Sequence, residues 1–311
     1  MRKIIGILFF LFLSFEGFCQ IKHVTSTYNG NSNVVIISRG TTTITYNDLA
    51  DSLFARMDTL PANYQKFLTS QVFDSIDYYY RDSIFVMYFF AANTQANALL
   101  NWVSTSYNCT IENSPLFEKN IGFTGDGVNG KLNTNYNPST APLYNQDTVS
   151  IHIYVRNDTI DNGRALFGCS DGTNRIEFTE LTTPAVRVRF NTTTATNTTY
   201  NISTLQGMWS IGRFGTSEKI GKNGVWKTTG TNATSGKPNA VIKLLDTEIG
   251  LGTNNQIAFF CISNIHNPAK LTEIVERYLD GINAGVIAGL ESGTINFAEY
   301  IDYSQNVNFS L

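Results

Sequence analysis

Short turn sequences divide the second half of the chain, and they constrain its fold more than any other feature. They are Asp126-Gly127, Asn129-Gly130, Asn162-Gly163, Asp171-Gly172 and Asn223-Gly224. Asn-Gly and Asp-Gly readily adopt the positive φ angles that two-residue hairpin loops require. Between the turns, apolar and polar residues alternate with a period of two, as in 150–155 and 185–190. Many short strands joined in this way favour an antiparallel β-sandwich over alternating β-α-β units.

Two other regions carry apolar residues at helical spacing. In residues 47–106, Asn47 or Asp48 can cap a helix, and large apolar side chains follow at helical intervals. A second helical pattern runs over 268–282. The predicted fold class is therefore mainly β, with a small helical layer, a jelly-roll sandwich and one closing helix. The predicted divisions of the chain are a signal peptide at 1–19, an extended segment at 20–46, the helical segment at 47–106, the sandwich at 107–284 and a tail at 285–311.

The first 19 residues have the features of an export signal. A basic pair at 2–3 precedes an unbroken apolar run over 4–13, which is too short to span a bilayer. Gly17 and Cys19 are the small residues expected at a cleavage site, so we predict cleavage after Cys19. The protein is then expected outside the cell or at its surface. Two alternatives stay open: a lipoprotein acylated at Cys19, and an uncleaved N-terminal anchor.

Composition argues against nucleic acid as a partner and against a scaffold held together by disulfides. Only 15% of the residues are charged, and the formal net charge is −3. Because no basic face is available to neutralise phosphates, we do not expect nucleic-acid binding. The cysteines beyond the signal, Cys109, Cys169 and Cys261, lie in apolar or strand-like contexts. They are expected to be buried core thiols rather than a disulfide framework.

One segment resembles a known family. Residues 117–137 read Phe-Glu-Lys-Asn-Ile-Gly-Phe-Thr-Gly-Asp-Gly-Val-Asn-Gly-Lys-Leu-Asn-Thr-Asn-Tyr-Asn. This is similar to the opening of concanavalin A-like (laminin-G-like) sandwiches of phage and prophage structural proteins, which often carry Gly-[Phe/Tyr]-Thr-Gly-[Asp/Asn]-Gly, then a strand and an Asn-Pro pair, here Asn137-Pro138. The resemblance extends over 49–284 and implies a concanavalin-like jelly roll. An export signal departs from the phage pattern, so a secreted host protein and an exported phage-derived protein both stay open.

The resemblance also provides a test for catalysis. Glucanases on this fold carry Glu-x-Asp-x-(x)-Glu on one strand, with two carboxylates as nucleophile and acid/base. The sequence has no such motif. Its nearest carboxylate pair, Glu177 and Glu180, is expected on opposite faces of a strand, as two solvated groups. The histidines are isolated in sequence, and His152, between Ile151 and Ile153, is expected on the outer face of a strand. No Gly-x-Ser-x-Gly nucleophile elbow occurs either. An enzyme is therefore not expected.

Aromatic side chains offer a more plausible chemistry, because sugars stack their C–H faces on aromatic rings while neighbouring amides supply hydrogen bonds. The candidates are Trp226, just after the turn that contains Asn223, and Tyr136 and Tyr144 in an Asn-rich loop. For each ring the alternative is ordinary packing in the core or at the rim. The run at 78–80, three tyrosines, predicts either a sticky surface or a helix end with one ring buried.

Calcium is a weaker hypothesis. Asp126 and Asp171 lie in Asp-Gly turns, but Ca²⁺ requires six or more oxygen ligands and no Asp-rich loop is visible. We therefore predict no metal and no other cofactor.

The first functional expectation is non-catalytic binding of a glycan or cell-surface receptor by an exported or virion-associated sandwich. The second is a structural role in a capsid or tail, with virion neighbours or a homo-oligomer as partners. An enzyme acting on polysaccharide is the third.

Overall fold

The structure, a computed structural model, describes residues 24–28, 31–35, 46–181, 184–193, 198–246 and 252–287. The predicted signal peptide at 1–19 lies outside the described residues, as does the predicted tail beyond 287. The chain divides into two compact units, Met1–Tyr46 and Asn47–Leu311. In the first unit, β1 (Val24–Tyr28) pairs with β2 (Asn31–Val35) as an antiparallel hairpin.

The second unit contains helices and strands from Asp48 onward. Its helices are α1 (Asp48–Phe54), α2 (Asn63–Tyr80), α3 (Gln95–Ala98) and α4 (Ala269–Ile287). Its strands are β3 (Ile84–Phe89), β4 (Thr110–Glu112), β5 (Leu116–Glu118), β6 (Gly122–Thr124), β7 (Lys131–Asn133), β8 (Thr148–Val155), β9 (Ala165–Ser170), β10 (Arg175–Leu181), β11 (Ala185–Thr192), β12 (Thr198–Asn201), β13 (Gly207–Phe214), β14 (Ser217–Lys222), β15 (Val225–Thr231), β16 (Lys243–Leu244) and β17 (Gln256–Ser263). No helix in the described part of the chain is both long enough and apolar enough to cross a membrane.

Two antiparallel sheets form the sandwich, which confirms the predicted fold class. One has seven strands, in the order β12-β11-β10-β9-β16-β7-β4. The other has eight, in the order β15-β14-β13-β8-β17-β6-β5, with β3 pairing with β17 beside β6. In alternating strands such as β8, β10 and β11, one set of apolar residues faces the opposite sheet, as the pattern predicts.

Aromatic contacts between the sheets mark the centre of the core. Phe167 of β9 meets Phe260 of β17, with ring centroids 5.7 Å apart. Phe178 of β10 meets Trp209 of β13 at 5.4 Å. All four rings are fully buried. The predicted core thiols Cys109, Cys169 and Cys261 are buried, and none of the three forms a disulfide.

Helices α2 and α4 pack against each other beside the eight-stranded sheet. The ring of Phe89 in β3 lies 4.5 Å from that of Tyr278 in α4 and 4.4 Å from that of Trp102. Trp102 in turn stacks on Phe73 of α2. The face of this sheet that points away from the sandwich core is therefore covered by a helical layer.

The predicted helical segment, 47–106, needs one correction, because β3 lies inside it. The run Ile84–Phe89 is apolar without interruption and buried over nearly its whole length. Periodicity cannot distinguish such a strand from a buried helix, because both of its faces are apolar. The closing helix also needs a correction, since α4 continues to Ile287 and enters the predicted tail. The predicted cap Asn47 is confirmed by its side chain, which accepts a hydrogen bond from the Leu49 N–H at 2.9 Å.

His152 faces away from the sandwich core, as predicted, and it is packed there rather than exposed to solvent. Its Nδ1 lies 2.9 Å from the Ser210 hydroxyl, and its Nε2 lies 3.0 Å from that of Ser150 and 3.1 Å from that of Ser263. Ser150 also donates to the carbonyl oxygen of Ile265, in the loop between β17 and α4. That loop and the helical layer exclude water from a strand face that a two-layer sandwich would expose.

The glycines of the 122–127 motif have a steric purpose. A Cβ on Gly122 would lie 2.1 Å from the carbonyl oxygen of Ile257, and one on Gly125 would lie 2.0 Å from that of Thr253. Gly122 also has a φ of +137°. The motif therefore lets the chain pass close against the backbone that leads into β17.

We expect Gly122→Ala to lower the free energy of unfolding by about 2 kcal/mol more than Gly172→Ala. Both glycines have positive φ, but a Cβ on Gly172 would meet nothing within 4 Å. Urea unfolding of the two variants measures the difference. Equal midpoints would contradict the close approach seen at Gly122.

Candidate functional site

Two of the predicted sugar-stacking rings are not at the surface. Tyr136 is 1% exposed and Tyr144 is 3% exposed, and both belong to the sandwich core. The Tyr144 hydroxyl donates to Asn191 Oδ1 at 2.7 Å, which satisfies it inside the protein. The prediction that these rings form a platform is therefore wrong. Large aromatic rings are stabilised by removal from water even when the surrounding segment is rich in Asn. The local sequence does not show that these two rings are buried.

Trp226 and Asn223 lie at the hairpin between β14 and β15. Asn223 and Gly224 have φ angles of 49° and 78°, as the predicted tight turn requires. The Asn223 side chain accepts a hydrogen bond from the Met208 N–H at 3.0 Å and so holds the turn to β13. Trp226 is half-buried, and its Nε1 donates to the carbonyl oxygen of His266 at 2.9 Å. Both side chains thus have structural contacts.

The two calcium candidates close their own turns. Asp126 Oδ1 accepts hydrogen bonds from three successive backbone N–H groups, and Asp171 accepts from three backbone N–H groups through its two oxygens. Burial opposes ionisation of Asp171, but these donors outweigh it and lower its pKa to about 2. Among the described residues, no group of three or more His, Cys, Asp or Glu side chains could hold a metal ion.

Glu177 and Glu180 lie on opposite faces of β10, as predicted, but neither is solvated. Ile176 and Phe178, on either side of Glu177, point into the core, and both glutamates are buried. Burial raises the pKa of Glu180 to about 8, although the hydrogen bonds it accepts from Asp161, Thr253 and Asn255 act in the opposite direction. Because the two carboxylates face different sides of the sheet, they cannot flank one sugar ring.

A cleft of about 500 Å³ lies between the C-terminal end of α2 and the loop that joins β17 to α4. Its lining is aromatic and polar. It consists of Tyr79, Tyr80, Ser83, Thr148, Asn264, Ile265, His266, Asn267 and Lys270.

Two rings are displayed at this cleft. Tyr79 is 47% exposed, and His266 is exposed as well. The His266 ring stacks on Phe214, with centroids 4.1 Å apart and planes at 30°. Phe214 meets the edge of Trp226. The predicted residue Trp226 therefore does not line the cleft. It supports His266 in two ways: its ring contacts Phe214, on which the His266 ring stacks, and its Nε1 donates the hydrogen bond to the His266 carbonyl oxygen.

Polar groups surround the two rings. The Tyr80 hydroxyl donates to the carbonyl oxygen of Asn267 at 3.3 Å. Burial raises the pKa of Tyr80 to about 12, so the hydroxyl stays neutral at physiological pH. Lys270 Nζ lies 5.5 Å from the Tyr79 ring centroid. The side chains of Asn264 and Asn267 add amide donors and acceptors to the lining.

Sequence reasoning found one side of this cleft and missed the other. The tyrosine run at 78–80 is a helix end, because α2 ends at Tyr80; Tyr78 and Tyr79 are exposed and Tyr80 is half-buried, and whether the run binds anything stays a prediction. In the sequence, His266 is an isolated histidine with no motif around it. It lies 187 positions after Tyr79 in the chain, and no local pattern connects them. The one signal in the sequence is the position of this histidine just before Asn267-Pro268, at the start of a predicted helix.

No model of a known protein family matches the sequence, and no curated protein matches it. Solved structures are similar in fold. A Trypanosoma rangeli sialidase mutant displaying trans-sialidase activity matches with a TM-score of 0.50 at 10% identity, over 70% of this chain and 39% of that chain. The binding domain of botulinum neurotoxin serotype D matches with a TM-score of 0.46 at 11% identity, over 63% of this chain and 52% of that chain. A third match is domain 4 of AbnA, an extracellular GH43 arabinanase from Geobacillus stearothermophilus, in complex with arabinotriose. It has a TM-score of 0.43 at 16% identity, over 62% of this chain and 98% of that chain.

The chain spans about half or less of the neurotoxin and sialidase chains that it matches. At these identities the likeness concerns the fold. None of the three structures named is a phage protein, so the phage and virion part of the resemblance stays a prediction. What is established is a mainly β sandwich of two antiparallel sheets with a helical layer and a C-terminal helix.

Proposed function

We propose that this protein is exported and binds a glycan without cleaving it, and that the glycan lies in the cleft between α2 and the β17–α4 loop. One observation carries the proposal: the exposed rings of Tyr79 and His266 line one open cleft together with amide side chains. A pyranose needs both an apolar surface for its C–H faces and hydrogen-bond partners for its hydroxyls.

The cleft is suited to binding rather than to bond cleavage. Most glycoside hydrolases use two carboxyl groups, one on either side of the glycosidic bond. None of the residues that line the cleft carries a carboxylate. Its titratable groups are Tyr79, Tyr80, His266 and Lys270, which fit recognition of hydroxyls and of ring faces. The structural virion role stays a prediction beside this proposal.

Preorganisation supports the same conclusion. The His266 ring is stacked on Phe214, and the His266 carbonyl oxygen accepts a hydrogen bond from Trp226. A ring that is already fixed loses little conformational entropy when a sugar stacks on it.

We expect Tyr79→Ala and His266→Ala each to weaken glycan binding at least tenfold, which corresponds to about 1.4 kcal/mol. Binding of the intact protein to a broad glycan array identifies the glycan, and calorimetric titration with that glycan then compares the variants. Leu49→Ala is the control, because Leu49 is an apolar residue of α1 that is as exposed as Tyr79 and does not line the cleft. Tyr78 is unsuitable, because its ring packs edge-on against that of Tyr79, with centroids 4.7 Å apart.

Three outcomes would contradict the proposal. The first is an array on which the folded protein binds no glycan. The second is affinity that the Tyr79 and His266 substitutions leave unchanged. The third is turnover of the bound glycan, detected as new reducing ends, which would exclude the non-catalytic part.

A further inference from the structure

A group of charged residues lies on the seven-stranded sheet, on the face that points away from the sandwich core. Arg175 and Glu177 of β10 and Arg187 and Arg189 of β11 share this face, since the residues that alternate with them are in the core. Glu177 lies directly opposite Arg189 in the antiparallel register. We call these four residues the arginine cluster.

The three guanidinium groups converge on one carboxylate. Arg175 Nη1 and Arg189 Nη1 each lie 3.1 Å from Glu177 Oε2, and Arg187 Nη2 lies 3.4 Å from Oε1. Each arginine uses one terminal nitrogen for Glu177. The Nε atoms of all three are buried and have no hydrogen-bond partner among the described residues.

The cluster carries two positive charges that Glu177 does not balance, and it is poorly hydrated. The side chains of Arg175, Arg187 and Arg189 are 17%, 25% and 13% exposed. Like charges held this close repel one another more strongly than in water, because the local dielectric constant is lower. Burial, the largest influence, lowers the pKa of Arg189, although Glu177 opposes it.

The described charged neighbours on this sheet do not neutralise the cluster. Lys243 of the same sheet pairs with Glu112 at 2.8 Å, and Lys131 pairs with Asp246 at 3.1 Å. These neighbours therefore balance each other. The net charge of the whole chain is −3, so the positive charge of this face is a local property.

The size and shape of the cluster define the anion that would fit it. Two adjacent strands are about 4.8 Å apart, and side chains two residues apart on one strand are separated by about 7 Å. The cluster is thus about as wide as one sugar residue and is not a stripe that could follow a nucleic-acid backbone. The planar fork of arginine pairs well with a planar carboxylate.

We propose that the arginine cluster is a second binding site, which takes the carboxylate of an acidic sugar residue in a polysaccharide. The terminal nitrogens that Glu177 leaves unused supply the donors, and the two unbalanced charges supply the attraction. This site lies on a different sheet from the cleft at Tyr79 and His266, and it does not depend on the function proposed for that cleft.

The test is calorimetric titration of the full-length protein with polygalacturonate, with neutral galactan as the uncharged comparison. We expect binding of polygalacturonate alone, weakened severalfold when NaCl is raised from low concentration to 150 mM. Arg187→Gln should reduce the affinity at least tenfold, and Arg187→Lys should restore only part of it, since lysine keeps the charge and loses the fork. Arg187 is the most exposed member of the cluster, so its variants are the most suitable for a folded comparison; thermal melting verifies the fold.

Arg277→Gln is the charge-matched control, because Arg277 is an exposed arginine of α4 that pairs with Glu273. The Arg277→Gln variant should bind polygalacturonate with the same affinity as the original protein. The proposal is overturned if polygalacturonate does not bind, or if Arg187→Gln and Arg277→Gln bind it equally. It is also overturned if dextran sulfate, which has no carboxylate, or inorganic phosphate binds as tightly as polygalacturonate, because the cluster would then be a general anion site.

Discussion

Replacing Glu177 with glutamine should lower the free energy of unfolding by about 3 kcal/mol at neutral pH. The Glu177 side chain is only 3% exposed and is the common partner of three arginines. Its burial raises the pKa, but the hydroxyl of Thr179 and the guanidinium groups outweigh this effect, so the pKa lies below its ordinary value. Glutamine has nearly the same shape and no charge. The variant therefore leaves three half-buried cations without their counter-ion.

Glu273→Gln is the matched control for this result. Glu273 also pairs with two cations, Lys270 and Arg277, but its side chain is 44% exposed. An exposed pair of this kind contributes little, so we expect a loss below about 0.5 kcal/mol. Urea unfolding at pH 7 compares the two variants. Because the folded pKa of Glu177 is lowered, its contribution is present above the unfolded pKa and is lost as the pH falls, and the Glu177 variant should approach the original protein in acid. Equal losses in both variants would show that the arginine cluster does not need its carboxylate.

Acid should destabilise the protein through His152, by about 3 kcal/mol between pH 7 and pH 4. Burial lowers the pKa of His152 to about 3, from an ordinary value of 6.5. Among the described residues, its ring nitrogens contact only the hydroxyls of Ser150, Ser210 and Ser263, and none of these is a carboxylate that would stabilise the charged ring. Between pH 6.5 and pH 3 the unfolded chain binds a proton that the folded chain does not. Stability is therefore fully present above pH 6.5 and falls as the pH decreases through this range.

His152→Gln isolates this effect from other acidic and basic groups. Glutamine can hydrogen-bond to the serine hydroxyls and cannot take up a proton. We expect the stability of the variant at pH 7 to be lower than that of the original protein, because the smaller side chain packs less well. Its further loss between pH 7 and pH 4, measured by urea unfolding, should be smaller by about 3 kcal/mol. If both proteins lose the same amount, His152 is not held neutral by the fold.

Much of the architecture could be predicted because its signals are local. A tight hairpin depends on two residues with positive φ, and Asn223 with Gly224 supplies them wherever the chain leads afterwards. The alternation at 150–155 likewise determines which side chains of β8 point together. The uninterrupted apolar run of β3 carries no such alternation, and for that reason its strand was missed within the helical segment.

The candidate sites depend on contacts between distant parts of the chain, and the sequence shows only fragments of them. The tyrosines at 78–80 and Trp226 could be selected as candidates. The partner of Tyr79 could not, because His266 reaches the same cleft only when α4 folds back beside α2. The three arginines alternate or lie near one another in sequence, yet only the pairing of β10 with β11 brings them around Glu177.

The sequence by itself determined the alternating strands, the tight turns between them and the side of each such strand on which a residue lies, because those properties follow from backbone geometry over a few residues. Only the tertiary structure decided what covers each side. His152 and Glu177 lie on faces that a simple sandwich leaves in water, and a helical layer encloses one while three neighbouring side chains enclose the other. Solvent exposure, and with it the charge state and the capacity to bind, is a property of the assembled layers, since water is excluded by residues far away in the chain.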